Sequence, residues 1–156
     1  MNLYLGDTYL TSRDEREGKD AIEYLKKDGL DPKFQVLDIG KEESVIHVRD
    51  FMTKNYGGID ILVNNAAIFL EDDSTQPFGI RAKDTLAINY WANKRTCEIL
   101  FPVLKPGARV VNMASSWGHL GNIIGEKSGD KIKAEKLRSL FADPDLREAS
   151  EKFCFL

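Results

Sequence analysis

The sequence is poor in the features that mark secreted, membrane-spanning and nucleic-acid-binding proteins. It has only two cysteines, Cys97 and Cys154, which form neither a metal-binding pattern nor a disulfide framework. No apolar run approaches the length of a membrane span, and MNLYLGD at the start lacks the basic region and the apolar core of a signal peptide. The net charge of -3 gives no reason to expect nucleic acid or an anionic membrane as a partner. We therefore expect a cytoplasmic protein with no metal, no nucleic-acid partner and no membrane contact.

The composition is that of a globular domain. Hydrophobic residues make up 42% of the 156 residues and charged residues 30%, which is enough apolar material for a core. There is no internal repeat and no low-complexity linker. We expect a single domain over residues 1–156.

One stretch, GIDILVNNAA at residues 58–67, organises the rest of the chain. Its apolar half, from Ile59 to Val63, predicts a buried parallel strand. Asn64 and Asn65 follow, and their amides can lock the strand end or meet a ligand. Two alanines come next, and small side chains let a ligand approach the backbone. Ligands of open α/β sheets bind at the carboxyl ends of strands, which is where this segment lies.

Strand and helix patterns alternate on both sides of this stretch. The pattern predicts strands at Thr8–Ser12, Lys33–Leu37, Ile59–Val63 and Arg109–Ala114 and helices at Asp14–Gly29, Val45–Tyr56 and Ala82–Leu104, with residues 68–82 as a loop and further helices at Lys131–Phe141 and Asp145–Lys152. The apolar side of the long helix includes Leu86, Tyr90, Cys97 and Leu100. His47 lies on a charged helix face, where we expect it to be solvated. An α/β fold follows, with a parallel sheet and helices on both faces.

Two segments carry a resemblance to a known family. DILVNNAA resembles the NNAG segment of the short-chain dehydrogenase/reductase family, with Ala67 in place of the glycine. RVVNMASSWG is similar to the strand of that family that ends in Asn-x-x-Ser, and Asn112, Ser115 and Gly118 reproduce both spacings. The resemblance covers residues 6–118 and implies a Rossmann-like, doubly wound parallel sheet.

The resemblance also implies an activity and a cofactor. LTSRD looks like the carbonyl-reductase branch, which reduces aldehydes, ketones or quinones to alcohols with NADPH. Arg13 would contact the 2′-phosphate, and Asp38 the adenine amino group, with Ile39, Asn65 and Ala66 completing the cofactor contacts. The residues themselves leave alternatives open: Arg13 as a solvated cation and Asp38 as the cap of the next helix.

The same resemblance assigns two catalytic positions. Ser115 would hydrogen-bond the carbonyl oxygen of the substrate, with Ser116 as the alternative. Asn89 would hold a water in the active site, and its alternative is a hydrogen bond within its own helix.

Two parts of the family pattern are missing from this chain. No glycine-rich turn of the Thr-Gly-x-x-x-Gly-x-Gly kind occurs, and no Tyr-x-x-x-Lys pair follows Ser115. The literal match from Tyr90 to Lys94 precedes Ser115, so we interpret Tyr90 as core. Residues 119–156 resemble the helical insertion that separates serine from tyrosine in the carbonyl-reductase branch, which makes His119 an insertion residue. We expect the chain alone to be inactive.

The missing first strand of the family has a consequence for the sheet. The family strand order is 3-2-1-4-5-6-7, so four strands remain as two pairs with exposed inner edges. We expect reduced stability, with aggregation or partner pairing through these edges, whereas a full-length protein would be a monomer. The alternatives are a truncated isoform that acts as a binding module, and a partial gene model.

Overall fold

A computed structural model describes residues 6–70 and 76–116. The elements are β1 (Tyr9–Ser12), α1 (Glu15–Lys27), β2 (Lys33–Val36), α2 (Glu42–Tyr56), β3 (Ile59–Asn64), α3 (Phe78–Leu86), a π-helical turn (Ala87–Ala92), α4 (Asn93–Leu100), a 3₁₀ turn (Phe101–Val103) and β4 (Leu104–Asn112). The predicted α/β alternation is confirmed. The predicted tail helices and His119 lie outside the described residues.

Helix ends follow the sequence signals closely. Asp14 caps α1, and its carboxylate accepts a hydrogen bond from the Glu17 backbone N–H at 2.9 Å. Gly57 ends α2 in the left-handed conformation with φ of 71°, which glycine adopts without a steric cost. Both ends therefore form where the sequence predicts them.

The long helix differs from its predicted bounds of Ala82 to Leu104. It begins at Phe78, directly after Pro77, because proline is well tolerated at a helix start and does not only break helices. Helical turns continue through residue 103, and β4 then begins at Leu104 rather than at Arg109. Gly107, with φ of 81°, lies inside that strand. The Lys-Pro-Gly segment is thus part of the strand and not a separate helix stop.

The four strands form two separate pairs among the described residues. β1 and β2 are parallel, with Tyr9 opposite Lys33 and Ser12 opposite Val36. β3 pairs with β4. The predicted arrangement of two pairs is therefore confirmed.

The described residues divide into two compact units, residues 6–60 with 66–70 and 76–108, and residues 61–65 with 109–116. In the first unit, α2 packs on α4. Its buried hydrophobic side chains come from both of these helices, from α1, from the π-helical turn and from the turn after β2: Ile22, Ile39, Val45, Val48, Ala92, Cys97 and Leu100. The predicted burial of Cys97 and the predicted exposure of His47 to solvent are confirmed. The core prediction for Leu86 and Tyr90 is wrong, because both are more than half exposed.

In the second unit, the carboxyl-terminal parts of β3 and β4 present an apolar face to solvent. Met113 N–H donates to the Asn64 carbonyl at 3.0 Å, and Asn64 Nδ2 donates to Asn112 Oδ1 at 2.8 Å, so Asn64 and Asn112 lie on the same face of the pair. Side chains alternate along a strand, so Ile61, Val63, Val111 and Met113 share one face. All four are exposed, and the predicted burial of this strand is wrong for Ile61 (64% exposed) and Val63 (54%). A parallel strand is buried on both faces only where other elements cover both.

A polar and aromatic cluster ties the starts of β1 and β2 to the end of α2. The Tyr56 hydroxyl donates to Asp7 at 2.8 Å and lies 2.7 Å from the Tyr9 hydroxyl. Lys33 donates to Tyr56 at 3.2 Å and forms an ion pair with Asp7. The rings of Tyr9, Phe51 and Tyr56 meet edge-on or tilted, with centroids 5.6 to 6.4 Å apart.

This cluster predicts a loss of stability in alkali. Its hydrogen bonds with Tyr9 and then Asp7 raise the pKa of Tyr56 from 10.0 to about 12, and the Asp7 hydrogen bond raises the pKa of Lys33. Both folded-state pKa values exceed the unfolded ones. The contribution is therefore complete below pH 10 and is lost as the pH rises from 10 through 12. Urea unfolding across that range measures it.

Tyr56→Phe should flatten this alkaline dependence, because the variant lacks the titrating hydroxyl. Tyr24→Phe is the matched control, since Tyr24 is an exposed tyrosine of α1 (67%). Equal pH slopes for the three proteins would contradict the assignment.

The exposed apolar face predicts self-association. Val63→Lys should reduce association measured by light scattering over a concentration series, because a charge interrupts the face. The free energy of unfolding should change by less than about 0.5 kcal/mol, as is usual at exposed positions. Thr11→Lys, on the other strand pair, is the control. Association of Val63→Lys equal to that of the unaltered chain would show that this face is not responsible.

Candidate functional site

Arg13 occupies the turn between β1 and α1. The residues on either side hold this turn: Asp14 N–H donates to Ser12 Oγ at 3.2 Å, and the Asp14 carboxylate accepts from Glu17. Arg13 is exposed, and Asp14 uses its carboxylate as the helix cap. The turn therefore presents an accessible guanidinium at the carboxyl end of β1, a group suited to a phosphate.

Asp38 orders the turn after β2. Its backbone N–H donates to Ser44 Oγ at 2.9 Å, and its Oδ1 accepts from Gly40 N–H at 2.9 Å. The alternative that Asp38 caps the next helix is wrong, because Lys41 occupies the N-cap position of α2. The side chain of Asp38 instead folds back onto Gly40, as aspartate does in tight turns.

Ile39, the next residue of this turn, has a buried side chain. Its predicted contact with a cofactor would therefore have to come from its backbone. Arg95 already donates to its carbonyl at 3.3 Å.

The asparagines after β3 have different surroundings. Asn64 Nδ2 donates to Asn112 Oδ1 at 2.8 Å, so this amide locks the strand pair. Asn65 and Ala66 are exposed, and the Ala66 carbonyl accepts from Asn93 Nδ2 at 3.1 Å. Asn65 and Ala66 thus leave their surface accessible while the backbone is held.

Asn89 lies in the π-helical turn and holds the loop after β3. Its Oδ1 accepts from Ile68 N–H, and its Nδ2 donates to the Ile68 carbonyl, both at 2.8 Å. The alternative of a side-chain bond within its own helix is therefore wrong. Asn89 is exposed. π-Helical turns are rare and occur frequently at functional sites.

Asn93 is a site residue that the sequence analysis missed. Its Nδ2 lies within hydrogen-bond distance of the Ala66 carbonyl (3.1 Å), the Ile88 carbonyl (3.2 Å) and the Asn89 carbonyl (3.3 Å). The available signal was its spacing: two asparagines four residues apart share one side of a helix.

Ser115 and Ser116 follow the end of β4 and are exposed. Ser115 and Asn65 belong to the second unit, whereas Arg13, Asp38, Ile39, Ala66 and Asn89 belong to the first. Of these residues, Asn89 and Ala66 are connected, because the Asn89 side chain is hydrogen-bonded to Ile68 in the loop that contains Ala66. The residue roles assigned by resemblance stay predictions.

Residues 6–70 and 76–116 contain neither a membrane-spanning helix nor a cluster of metal-binding side chains. No helix in these ranges is long and apolar enough to cross a membrane. No group of three or more histidine, cysteine, aspartate or glutamate side chains there is placed to hold a metal ion.

Comparison with protein families decides the ancestry of the chain. The model of the short chain dehydrogenase family matches residues 6–126. The chain belongs to this family. Its relatives place it in the carbonyl-reductase branch: carbonyl reductase (NADPH) 3 of Mus musculus is 44% identical over 115 residues, which is 74% of this chain and 42% of the relative. Carbonyl reductase (NADPH) 1 of Bos taurus is 44% identical over 112 residues, 72% of this chain and 40% of the relative. This short-chain dehydrogenase thus spans about two-fifths of the length of these relatives.

Solved structures agree on the fold of this short-chain dehydrogenase. Menthone neomenthol reductase from Mentha piperita matches with a TM-score of 0.62 and 26% identity, over 92% of this chain and 66% of that one. Salutaridine reductase from Papaver somniferum matches with a TM-score of 0.61 and 24% identity, over 93% and 64%. The predicted Rossmann-like fold, present here in part, is confirmed.

The hold of Asn93 on the loop predicts a stability effect. Asn93→Ala should lower the free energy of unfolding by about 1 kcal/mol, because a partly buried amide loses its bond to the Ala66 carbonyl. Amide hydrogen exchange at residues 66–68 should accelerate as well. Asn55→Ala is the matched control, since the Asn55 side chain donates to the Phe51 carbonyl of its own helix at 2.8 Å. Equal exchange at residues 66–68 in both variants would contradict the role of Asn93.

Proposed function

We propose that this chain provides the adenosine-binding half of an NADPH-dependent carbonyl reductase, which reduces aldehydes, ketones or quinones to alcohols. One observation carries the proposal: NNAA and Asn-x-x-Ser lie at the ends of two paired strands, in a chain that belongs to the short chain dehydrogenase family. The names of the carbonyl reductase relatives support the cofactor and the substrate class.

The described residues fit the adenosine end of NADPH by the chemistry of their polar groups. Arg13 is an exposed cation that suits a 2′-phosphate, and Asp38 offers a carboxylate to the adenine amino group. Asn65 and Ala66 leave room for a ligand beside the backbone. This sequence has no glycine-rich turn of the kind that binds the pyrophosphate.

The reaction needs a hydride, which NADPH supplies when bound, and a proton for the carbonyl oxygen. In this proposal, the Ser115 hydroxyl donates a hydrogen bond to that oxygen and stabilises the charge that develops there. A serine hydroxyl is too weak an acid to give up the proton. Tyr56 does not supply this proton either, because hydrogen bonds raise its pKa to about 12, away from neutrality. Asn89 holds the loop after β3 in place.

The 156-residue chain should therefore bind NADPH weakly and should not reduce carbonyl compounds by itself. A fluorescence titration should show tighter binding of NADPH than of NADH. Arg13→Gln should remove this preference, a loss of roughly 10-fold, since a charge-assisted hydrogen bond to the phosphate disappears. Arg49→Gln is the control, because Arg49 pairs with Asp50 on α2.

Two results would overturn parts of this proposal. Equal affinity of the unaltered chain for NADPH and NADH would reject the cofactor assignment. Carbonyl-dependent consumption of NADPH that Ser115→Ala abolishes would reject the predicted inactivity.

The exposed apolar face of β3 and β4 supports a second candidate, a non-catalytic module that binds a partner. Ile61, Val63, Val111 and Met113 form a surface of the kind found at protein contacts. A defined complex recovered from the native source, lost in Val63→Lys, would favour this candidate over the reductase.

A further inference from the structure

Arg95 of α4 is bound to the turn that follows β2. Its Nη2 donates to the Ile39 carbonyl at 3.3 Å and to the Gly40 carbonyl at 3.0 Å. Its Nε is buried and has no hydrogen-bond partner among the described residues. The guanidinium is therefore oriented by the two carbonyls of the turn. Neither its sequence position nor the resemblance assigns a role to Arg95.

The turn after β2 packs closely against the helical stretch that contains Arg95. A Cβ atom added to Gly40 would lie 3.1 Å from Asp38 Oδ1 and 3.4 Å from Ile88 Cδ1. The Ile39 side chain is buried in the core. A movement of the turn away from α4 would break both bonds from Arg95 and withdraw Ile39 from the core.

Asp38 takes its orientation from the same turn. Gly40 N–H donates to its Oδ1, and Lys41 N–H donates to its carbonyl at 3.0 Å. Its Oδ2 has a longer contact, 3.5 Å, to Lys41 Nζ, a side chain that is largely exposed. Oδ2 is thus the carboxylate oxygen that can accept a hydrogen bond from a ligand.

We infer that Arg95 is a positioning residue, which holds the Ile39 and Gly40 carbonyls so that Asp38 Oδ2 accepts from the amino group of an adenine ring. The inference rests on the proposed function and deepens it. Arg95 contacts neither the cofactor nor the substrate. By this positioning, Arg95 makes the site selective for adenine over a purine ring that carries an oxygen in place of the amino group.

The first test needs no nucleotide. Hydrogen exchange of the Gly40 and Lys41 amides, which both bond to Asp38, should accelerate several-fold in Arg95→Met. Arg95→Lys keeps a charged donor but loses the fixed planar geometry of the guanidinium, and should give an intermediate rate. Exchange in β1 should not change in either variant, which excludes global loosening. Arg49→Met, an arginine removed from α2, is the matched control. Unaltered exchange at Gly40 and Lys41 in Arg95→Met overturns the inference.

The second test compares adenosine 2′-monophosphate with inosine 2′-monophosphate, whose ring lacks the amino group. The unaltered chain should prefer the adenine compound by about 3- to 10-fold, the contribution of one hydrogen bond. Arg95→Met should bring this ratio close to one and leave the affinity for the inosine compound unchanged. A general structural role would weaken both affinities equally. An unchanged ratio, or an equal loss of both affinities, overturns the inference.

The two tests separate the inference from the proposed function. If the unaltered chain binds neither nucleotide, the proposed adenosine site is rejected and the adenine selectivity with it, whatever the exchange rates are. If it binds the adenine compound selectively and Arg95→Met does so too, the adenosine site stands and only the role of Arg95 is rejected.

Discussion

Side chains of one helical stretch form hydrogen bonds to the backbone of the turn after β2 and of the loop after β3. The candidate site depends on these hydrogen bonds. Asn89 and Asn93 hold the loop after β3, and Arg95 holds the turn after β2. Loops at strand ends carry polar backbone groups that cannot be left unpaired without a cost in free energy. In this chain the π-helical turn and the start of α4 supply these partners within seven residues, so one helix fixes the loops on which the ligand contacts are proposed.

The two ends of β1 and β2 have contrasting chemistry. At their carboxyl ends, Arg13 is exposed and Asp38 retains one carboxylate oxygen with only a long ion-pair contact. At their amino ends, Asp7, Lys33 and Tyr56 are hydrogen-bonded to one another. A tyrosine beside a lysine is not by itself a catalytic acid: here the carboxylate and a second hydroxyl keep the proton on Tyr56. The groups available to a ligand therefore lie at the carboxyl ends, as is usual in open α/β sheets.

The exposed face of β3 and β4 has the composition of a core strand. Ile61, Val63 and Val111 are β-branched residues that suit a pleated, covered surface. Their composition explains why the sequence predicts a buried parallel strand, although these side chains are exposed to solvent in the structure. The same residues connect the expected self-association with the second candidate function.

The sequence by itself determined the local structure and the family. The cap at Asp14, the helix end at Gly57 and the pairing of four strands all follow from short-range signals and strand order. The exact family segments, NNAA and Asn-x-x-Ser, need no coordinates to be found. Local backbone geometry depends on neighbouring residues, and these are present in the sequence.

Only the tertiary structure decided the partners of the polar side chains. A bond within its own helix was the alternative that the sequence left open for Asn89, but its side chain bonds the Ile68 backbone 21 residues away. A helix cap was the alternative that the sequence left open for Asp38, but its carboxylate closes its own turn, and Arg95 reaches that turn from a helix 55 residues further on. Burial of Ile61 and Tyr90 likewise depends on which elements cover them. Such contacts arise from packing between distant segments, which periodicity and spacing do not encode.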